Sequence, residues 1–181
     1  MGSKFSSICL KLDHFAPELQ EFNELKQICD NNNITFQIHE VKPVPKASLG
    51  EFLYTIFFSP EMINAITSGI ISTAIYEIIK GKIIKIIIKA KQEKITYSKV
   101  NHIELRANGA NLNIQSNNLT HENIDKAIDA FINVANNFTG EAPVKPQYIV
   151  VTDDSVQIMS QYDFVMKYEI KKMEDTTNEQ P

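Results

Sequence analysis

The stretch HIELRANGANLNIQSNNLTHENIDKAIDAFINVANNF, residues 102–138, decides the fold. Its first part holds two short runs of alternating apolar and polar side chains on either side of Asn108 and Gly109. An Asn-Gly pair supplies the positive φ angles that a tight β-hairpin turn requires. Thr120 then caps a helix in which apolar side chains recur at spacings of three and four as far as Phe138. A hairpin followed by an amphipathic helix predicts a domain that mixes strands and helices.

The chain before this stretch predicts further elements. Residues 6–12 and 34–41 alternate in the manner of strands, and the segment between them has helical spacing, so the N-terminal third reads as β-α-β. The apolar run 51–58 fits a strand or a helix equally well. Ser59 and Pro60 then form a good helix start, because serine caps the first turn and proline is tolerated there.

We expect that helix to continue as one core helix to about residue 80. Its polar residues interrupt it before the roughly 20 apolar residues that a membrane span needs, so a spanning helix is not favoured. The next segment, KGKIIKIIIKAKQEK at 80–94, is harder to assign. Its isoleucines suit a strand. Its length and lysines favour a continuing helix that ends near Lys91, and we adopt the helix.

The C-terminal part predicts a second hairpin and a short helix. Residues 147–152 and 155–159 read as strands joined by an acidic turn. Ser160, with Asp163 three residues later, resembles a capping box that opens a helix through Met173, although strict alternation from 162 to 168 leaves a strand open. We therefore divide the chain into three parts. They are an α+β core domain at 1–140, a hairpin and helix extension at 141–173, and a disordered tail at 174–181.

Together these patterns predict an α+β fold. It consists of a mainly antiparallel sheet of about four to six strands, with helices packed on one face, plus a C-terminal β-hairpin and short helix.

Composition excludes several classes of function. The 181 residues carry a formal net charge of -4, which argues against binding to a nucleic-acid backbone. Cys9 and Cys29 form no CxxC pair, and no apolar signal-peptide core follows the N-terminus, so we expect a reducing, cytoplasmic location. Gly2 with Ser6 fits an N-myristoylation pattern, and a chance match is the alternative.

No catalytic or metal-binding motif stands out. His14, His39, His102 and His121 are scattered without zinc-ligand spacing, and no glycine-rich phosphate loop or GxSxG motif occurs. We expect no catalytic residue, no metal ligand and no cofactor. An enzyme whose residues come together from distant parts of the chain, such as a cysteine paired with a histidine, remains an alternative.

The main charge feature is a lysine run interleaved with isoleucines. This segment is a candidate contact with an anionic membrane surface or an acidic partner. The alternative is a solvated face whose lysine stems cover apolar surface. In an adaptor the isoleucines are expected to be buried and the lysines to point to water, whereas a membrane binder exposes a continuous isoleucine face. The run consists of Lys80, Lys82, Lys85, Lys89, Lys91 and Lys94.

Four segments also carry a resemblance. They are Leu49 with Gly50, the helix MINAITSGIISTAIYEII at 62–79, the hairpin HIELRANGANLNIQ and the helix NLTHENIDKAIDAFI. Over residues 6–138 the chain resembles the effector-associated constant component modules of bacterial conflict systems. The resemblance implies a non-enzymatic adaptor that couples an effector to its sensor, with a protein as its partner.

Overall fold

A computed structural model describes residues 6–13, 19–41, 51–92, 100–107, 109–114, 119–138, 146–151 and 155–170. The strands are β1 (Ser7–Asp13), β2 (Thr35–Val41), β3 (Glu51–Phe58), β4 (Val100–Ala107), β5 (Ala110–Ile114), β6 (Gln147–Val151) and β7 (Val156–Ser160). The helices are α1 (Gln20–Asn31), α2 (Pro60–Thr67), α3 (Thr73–Gln92), α4 (His121–Asn136) and α5 (Gln161–Phe164), and α5 continues into a π-helix (Val165–Ile170).

All seven strands form one mixed sheet in the order β2-β1-β3-β4-β5-β6-β7. Parallel pairs (β1 with β2, β3 with β4, β5 with β6) alternate with antiparallel pairs across the sheet. The α+β class is therefore confirmed, but a mainly antiparallel sheet of four to six strands is wrong. Each parallel pair is joined by a helical crossover, as parallel neighbours require. The alternation of apolar and polar side chains along a strand does not show whether its neighbour runs parallel or antiparallel to it.

The hydrophobic core lies between one face of the sheet and α1 to α4. Alternate side chains of the strands point into it, and aromatic pairs join the layers. The ring of Phe22 on α1 lies 5.9 Å from that of Tyr54 on β3, and Phe58 on β3 lies 5.6 Å from Phe131 on α4. The prediction of helices on one face holds for these four helices. The short C-terminal helix, which was predicted separately, is α5, and it packs on the opposite face.

The helix predicted from Pro60 to about residue 80 is wrong as a single element. Ser59 caps α2 as expected, because its Oγ accepts a hydrogen bond from the Met62 amide at 3.1 Å. The helix ends at Thr67, and Gly69 adopts a φ of 76° that turns the chain before α3 begins. A continuous apolar stripe hides this break, since glycine is tolerated inside helices as well as in turns.

The helix assigned to 78–91 is confirmed, because α3 continues through Gly81 to Gln92. The uncertain run 51–58 is a strand, β3. The β-α-β unit at the N-terminus and the hairpin of β4 and β5 are also confirmed, with Gly109 at a φ of 71° in the hairpin turn.

The C-terminal hairpin is present as the antiparallel pair of β6 and β7, and β6 also pairs with β5 in the same sheet. Ser160 caps α5 by accepting a hydrogen bond from the Asp163 amide, so the strand alternative from 162 onward is wrong. The ring of Phe164 on α5 stacks on Tyr148 of β6 at 4.4 Å and covers that end of the second sheet face. The predicted tail at 174–181 and the motif at Gly2 lie outside the described residues.

Candidate interaction surface

The lysines of α3 are divided between two neighbouring helices, because α3 packs between α1 and α4. Lys80 is buried and lies among three carboxylates. Its Nζ is 3.1 Å from Glu77 Oε1, 3.0 Å from Asp125 Oδ1 and 3.1 Å from Asp129 Oδ1. The Tyr76 hydroxyl donates a further hydrogen bond to Asp129 at 3.0 Å. The expectation that the lysines point to water is therefore wrong for Lys80.

Burial and hydrogen bonding act on Lys80 in opposite directions. Burial favours the neutral amine and would lower the pKa of Lys80. The hydrogen bonds that Lys80 donates to Asp125, Asp129 and Glu77 outweigh that effect and hold the pKa of Lys80 above its usual value, which favours the charged ammonium. Burial, with Asp129 beside it, likewise raises the pKa of Tyr76 and keeps its hydroxyl protonated as a donor.

Two further lysines of α3 bind glutamates of α1. Lys82 pairs with Glu24, and Lys89 pairs with Glu21, which is buried. The hydrogen bond from Lys89 lowers the pKa of Glu21 against the opposing effect of burial. The pairing with Lys82 similarly lowers the pKa of Glu24. These two ion pairs therefore connect α3 to α1, and the charge of each lysine is balanced by a carboxylate of the same domain.

The remaining members of the run differ in position. Lys85 is exposed, and among the described side chains none forms an ion pair with it. The side chain of Lys91 and the whole of Lys94 lie outside the described part of the chain. The role of the run as a contact with an anionic surface or an acidic partner therefore stays a prediction, with Lys82 and Lys89 already paired to carboxylates of the domain.

The isoleucines of α3 point into the core. Ile83, Ile84, Ile86 and Ile87 are buried, while Ile78 is exposed. Within 78–90, where the side chains are described, no continuous exposed isoleucine face exists. Ile88 is partly buried and packs against the core. Among the described residues, no helix is both long and apolar enough to cross a membrane.

The cysteines and histidines do not come together as a reactive pair in the described residues. Cys29 is buried, and burial raises the pKa of its thiol to about 12. Burial also raises the pKa of Cys9. His39 is exposed on β2 and lies 3.4 Å from the Gln37 amide oxygen, and His121 is exposed at the start of α4. Raised pKa values disfavour the thiolates that nucleophilic cysteines require.

For the other predicted chemistry, His14 is outside the described residues, and His102 lies on β4 with its side chain not described. Within the ranges given above, no group of three His, Cys, Asp or Glu side chains is placed to hold a metal ion.

A different cluster lies on the sheet face opposite the core helices. It consists of Lys11 on β1, Phe57 on β3, and Glu104 and Arg106 on β4, and is called the open face here. The ammonium of Lys11 lies 4.7 Å from the centre of the Phe57 ring, and the Arg106 guanidinium lies 6.0 Å from it. The Arg106 Nε donates to Glu104 Oε2 at 2.9 Å, and Nη2 lies 2.6 Å from the same oxygen.

Strand pairing builds the open face. Phe57 is opposite Arg106 in the parallel pair of β3 and β4, and Lys11 is opposite Thr55 in the antiparallel pair of β1 and β3. The face of the Phe57 ring attracts each cation electrostatically, and both cations remain at the protein surface. Lys11 and Arg106 are exposed, Phe57 and Glu104 are half-buried, and neighbouring Thr55 is buried. The cluster thus presents two ordered cations around an aromatic ring.

Sequence reasoning did not find the open face. Its residues lie 46 to 95 positions from Lys11 along the chain, and they meet only because β3 inserts between β1 and β4. The only sequence signal is that each residue occupies an outward position of an alternating strand, which many solvent-facing residues share.

No protein-family model, curated protein or solved structure matches this chain. The fold and surface define an α+β protein with a mixed sheet and a partly uncovered sheet face. The resemblance to effector-associated constant component modules stays a prediction.

Proposed function

We propose that the protein is a non-enzymatic protein–protein interaction module, an adaptor that acts in the cytoplasm as part of a bacterial defence or conflict system. The observation that carries this proposal is the open face. Two cations are held there against one aromatic ring on the rigid central strands of the sheet. Surfaces that combine an arginine with an aromatic side chain are favoured at protein interfaces.

The chemistry of the open face favours an acidic partner segment. Arg106 is partly neutralised by Glu104, and no carboxylate among the described side chains pairs with Lys11. A partner carboxylate placed beside Lys11 would gain an ion pair, while an apolar group next to it would cover the exposed edge of Phe57. The overall charge of -4 makes this local positive site stand out against an acidic molecule.

The alternatives have less support. A peripheral membrane protein that uses segment 78–94 would need exposed isoleucines and unpaired lysines. Instead, Lys80, Lys82 and Lys89 are paired with carboxylates of the domain itself. An enzyme that uses a cysteine nucleophile would need a thiolate, and burial raises the pKa of both thiols.

The test is affinity capture from the native host followed by reconstitution with the purified partner. The double variant Lys11→Gln/Arg106→Gln removes both cations of the open face without changing the core. The matched control is Lys26→Gln/Lys126→Gln, which removes two exposed lysines of α1 and α4. We expect the open-face variant to weaken binding by about tenfold or more, as loss of about 1.4 kcal/mol or more would, and the control to bind normally.

Three results would contradict the proposal. Equal binding by wild type and the open-face variant would remove the open face as the site. Turnover of a substrate by the purified protein would place it among enzymes. Salt-sensitive binding to anionic vesicles that is lost in Lys82→Gln/Lys85→Gln/Lys89→Gln would restore the membrane alternative.

A further inference from the structure

The last strand of the sheet leaves its outer edge without a partner strand. β7 stands at the end of the strand order and pairs only with β6 among the described strands. The outward backbone N–H and C=O groups of such a strand are a template for another strand. Proteins commonly block such edges with charged residues, proline or bulges. β7 has the sequence VQIMS, which contains none of the charged or proline residues, and its short length is its main protection.

Exposed apolar side chains are frequent on β7 and on the helical segment that follows it. Ile158, at the centre of β7, is 55% exposed. Tyr162 and Met166, on the helical segment that follows directly, are also exposed. These three residues lie within nine positions of one another, and they are half of the large exposed hydrophobic side chains among the described residues. An edge strand that exposes apolar groups beside free backbone groups predicts a strand-pairing interface.

We propose that β7 pairs antiparallel with β7 of a second copy of this chain, so that the two sheets join into one continuous sheet about a two-fold axis at Ile158. Antiparallel pairing about this axis places Ile158 opposite Ile158 of the other copy. It also places Val156 opposite Ser160, and Gln157 opposite Met159. β7 has no charged side chain of its own to face its copy across this axis, and the nearby ammonium of Lys167, on the following helical segment, donates to Gln157 Oε1 at 3.0 Å.

The other edge of the sheet is less suited to self-pairing. β2 has the sequence TFQIHEV, which includes an acidic and a titratable residue, whereas β7 includes neither. Its Ile38 is less exposed than Ile158, at 37%. β7 is therefore the better edge for self-pairing. A two-fold contact of this kind gives a closed dimer and does not extend into a filament. The open face lies on β1, β3 and β4 and is not part of the proposed contact.

The first test measures the mass of the full chain in solution by light scattering and sedimentation. We expect the wild type to form a dimer of the 20.5 kDa chain. Ile158→Lys would bring two ammonium groups face to face and should raise the dimer dissociation constant by about a hundredfold. Ile38→Lys, which places the same side chain on the opposite edge strand, is the matched control and should leave the dimer intact. Circular dichroism checks that each variant is folded.

The second test uses a cysteine at the symmetry axis. In the proposed dimer, the Cβ atoms of position 158 in the two copies are about 4.5–5.5 Å apart. Ile158→Cys should therefore give a covalent dimer on mild oxidation or with a short bis-maleimide, and Ile38→Cys should not. If Ile158→Lys fails to fold, Ile158→Cys still tests whether the two β7 strands pair.

Several outcomes would overturn the proposal. They are a wild type that stays monomeric at every soluble concentration, a dimer that survives Ile158→Lys, and equal loss of the dimer in Ile38→Lys. This test is independent of the adaptor proposal. Lys11→Gln/Arg106→Gln should weaken partner capture and leave the protein dimeric. Ile158→Lys should lower the mass in solution to that of a monomer.

Discussion

The ammonium of Lys80 on α3 lies 3.0 Å from the Asp125 carboxylate on α4, and the two ends of this ion pair differ sharply in burial. The Lys80 side chain is 5% exposed, whereas that of Asp125 is 36% exposed. Water can therefore solvate the carboxylate if its partner is lost, but it cannot reach the ammonium to the same extent. Removing the lysine and removing the carboxylates should therefore change the free energy of unfolding by different amounts.

We expect the double variant Asp125→Asn/Asp129→Asn to be more destabilising than Lys80→Met. The first leaves a buried ammonium with only Glu77 as its carboxylate partner, and uncompensated buried charges cost about 3–5 kcal/mol. The second replaces the ammonium by an apolar group of similar length and leaves carboxylates that are partly solvated, for about 1 kcal/mol or less. Urea denaturation of each variant measures the difference.

The control for this comparison is the exposed pair of Lys126 and Glu122 on α4. Lys126→Met should change the free energy of unfolding by about 0.5 kcal/mol or less, because exposed ion pairs contribute little. A larger loss of stability in Lys80→Met than in Asp125→Asn/Asp129→Asn would contradict this expectation.

The second prediction concerns Glu21, whose pKa is set by two opposing effects. The hydrogen bond from Lys89 lowers the Glu21 pKa below 4.5, and burial raises it. In Lys89→Met the largest of the effects that lower the Glu21 pKa is lost, so this pKa should rise above its wild-type value. A titration of the Glu21 carboxyl resonance by NMR measures the shift directly. The matched case is Lys126→Met, in which the pKa of exposed Glu122 should return to about its ordinary value without passing it.

The sign of the effect on stability follows from proton binding. In the wild type the Glu21 pKa is lower in the folded than in the unfolded state, so the unfolded state binds more protons below about pH 4.5. Its contribution to stability is present above that pH and is lost as the pH falls through the folded value. In Lys89→Met the folded-state pKa should lie closer to the unfolded one, so this loss of stability on acidification should be smaller. An unchanged Glu21 pKa in the variant would show that Lys89 does not set it.

The sequence predicts local elements well and their assembly poorly. The cap at Ser59, the turn at Gly109 and the helix through Gly81 depend on residues within a few positions of each other. The mixed direction of the strands depends on crossovers that close through space. A helix that ends at Thr67 and one that continues past it share the same apolar spacing, so the break at Gly69 is not visible from that spacing.

The candidate sites show the same limit. The lysine run was visible as a run, but Asp129, which binds Lys80, lies 49 positions away on α4, and Glu24 lies 58 positions from Lys82 in the other direction. Composition cannot reveal which lysines are neutralised. The open face needed the pairing of β1 with β3 and of β3 with β4 before Lys11, Phe57 and Arg106 could be recognised as neighbours.

The third prediction uses the two thiols as probes of local and global opening. Cys9 is partly exposed, whereas Cys29 is buried and its pKa is raised to about 12 by burial. We expect iodoacetamide to modify Cys9 in the native protein and to reach Cys29 only as fast as the whole domain unfolds. Mass spectrometry of timed samples, with a urea-unfolded sample as the reference for full reactivity, measures both rates. Native Cys29 that reacts as fast as Cys9 would disprove this packing of α1.

The last prediction applies the same substitution at two glycines and expects opposite signs. A Cβ at Gly69 or at Gly81 would meet no atom within 4 Å, so neither alanine creates a clash. Gly69 has a φ of 76°, and alanine there should cost about 1–2 kcal/mol of backbone strain. Gly81 lies inside α3, where alanine should add about 0.5–1 kcal/mol, because glycine loses more backbone entropy on folding. Urea midpoints should therefore fall for Gly69→Ala and rise for Gly81→Ala. A fall for Gly81→Ala would mean that α3 is not a regular helix at that residue, and no change for Gly69→Ala would mean that the turn between α2 and α3 does not require a positive φ.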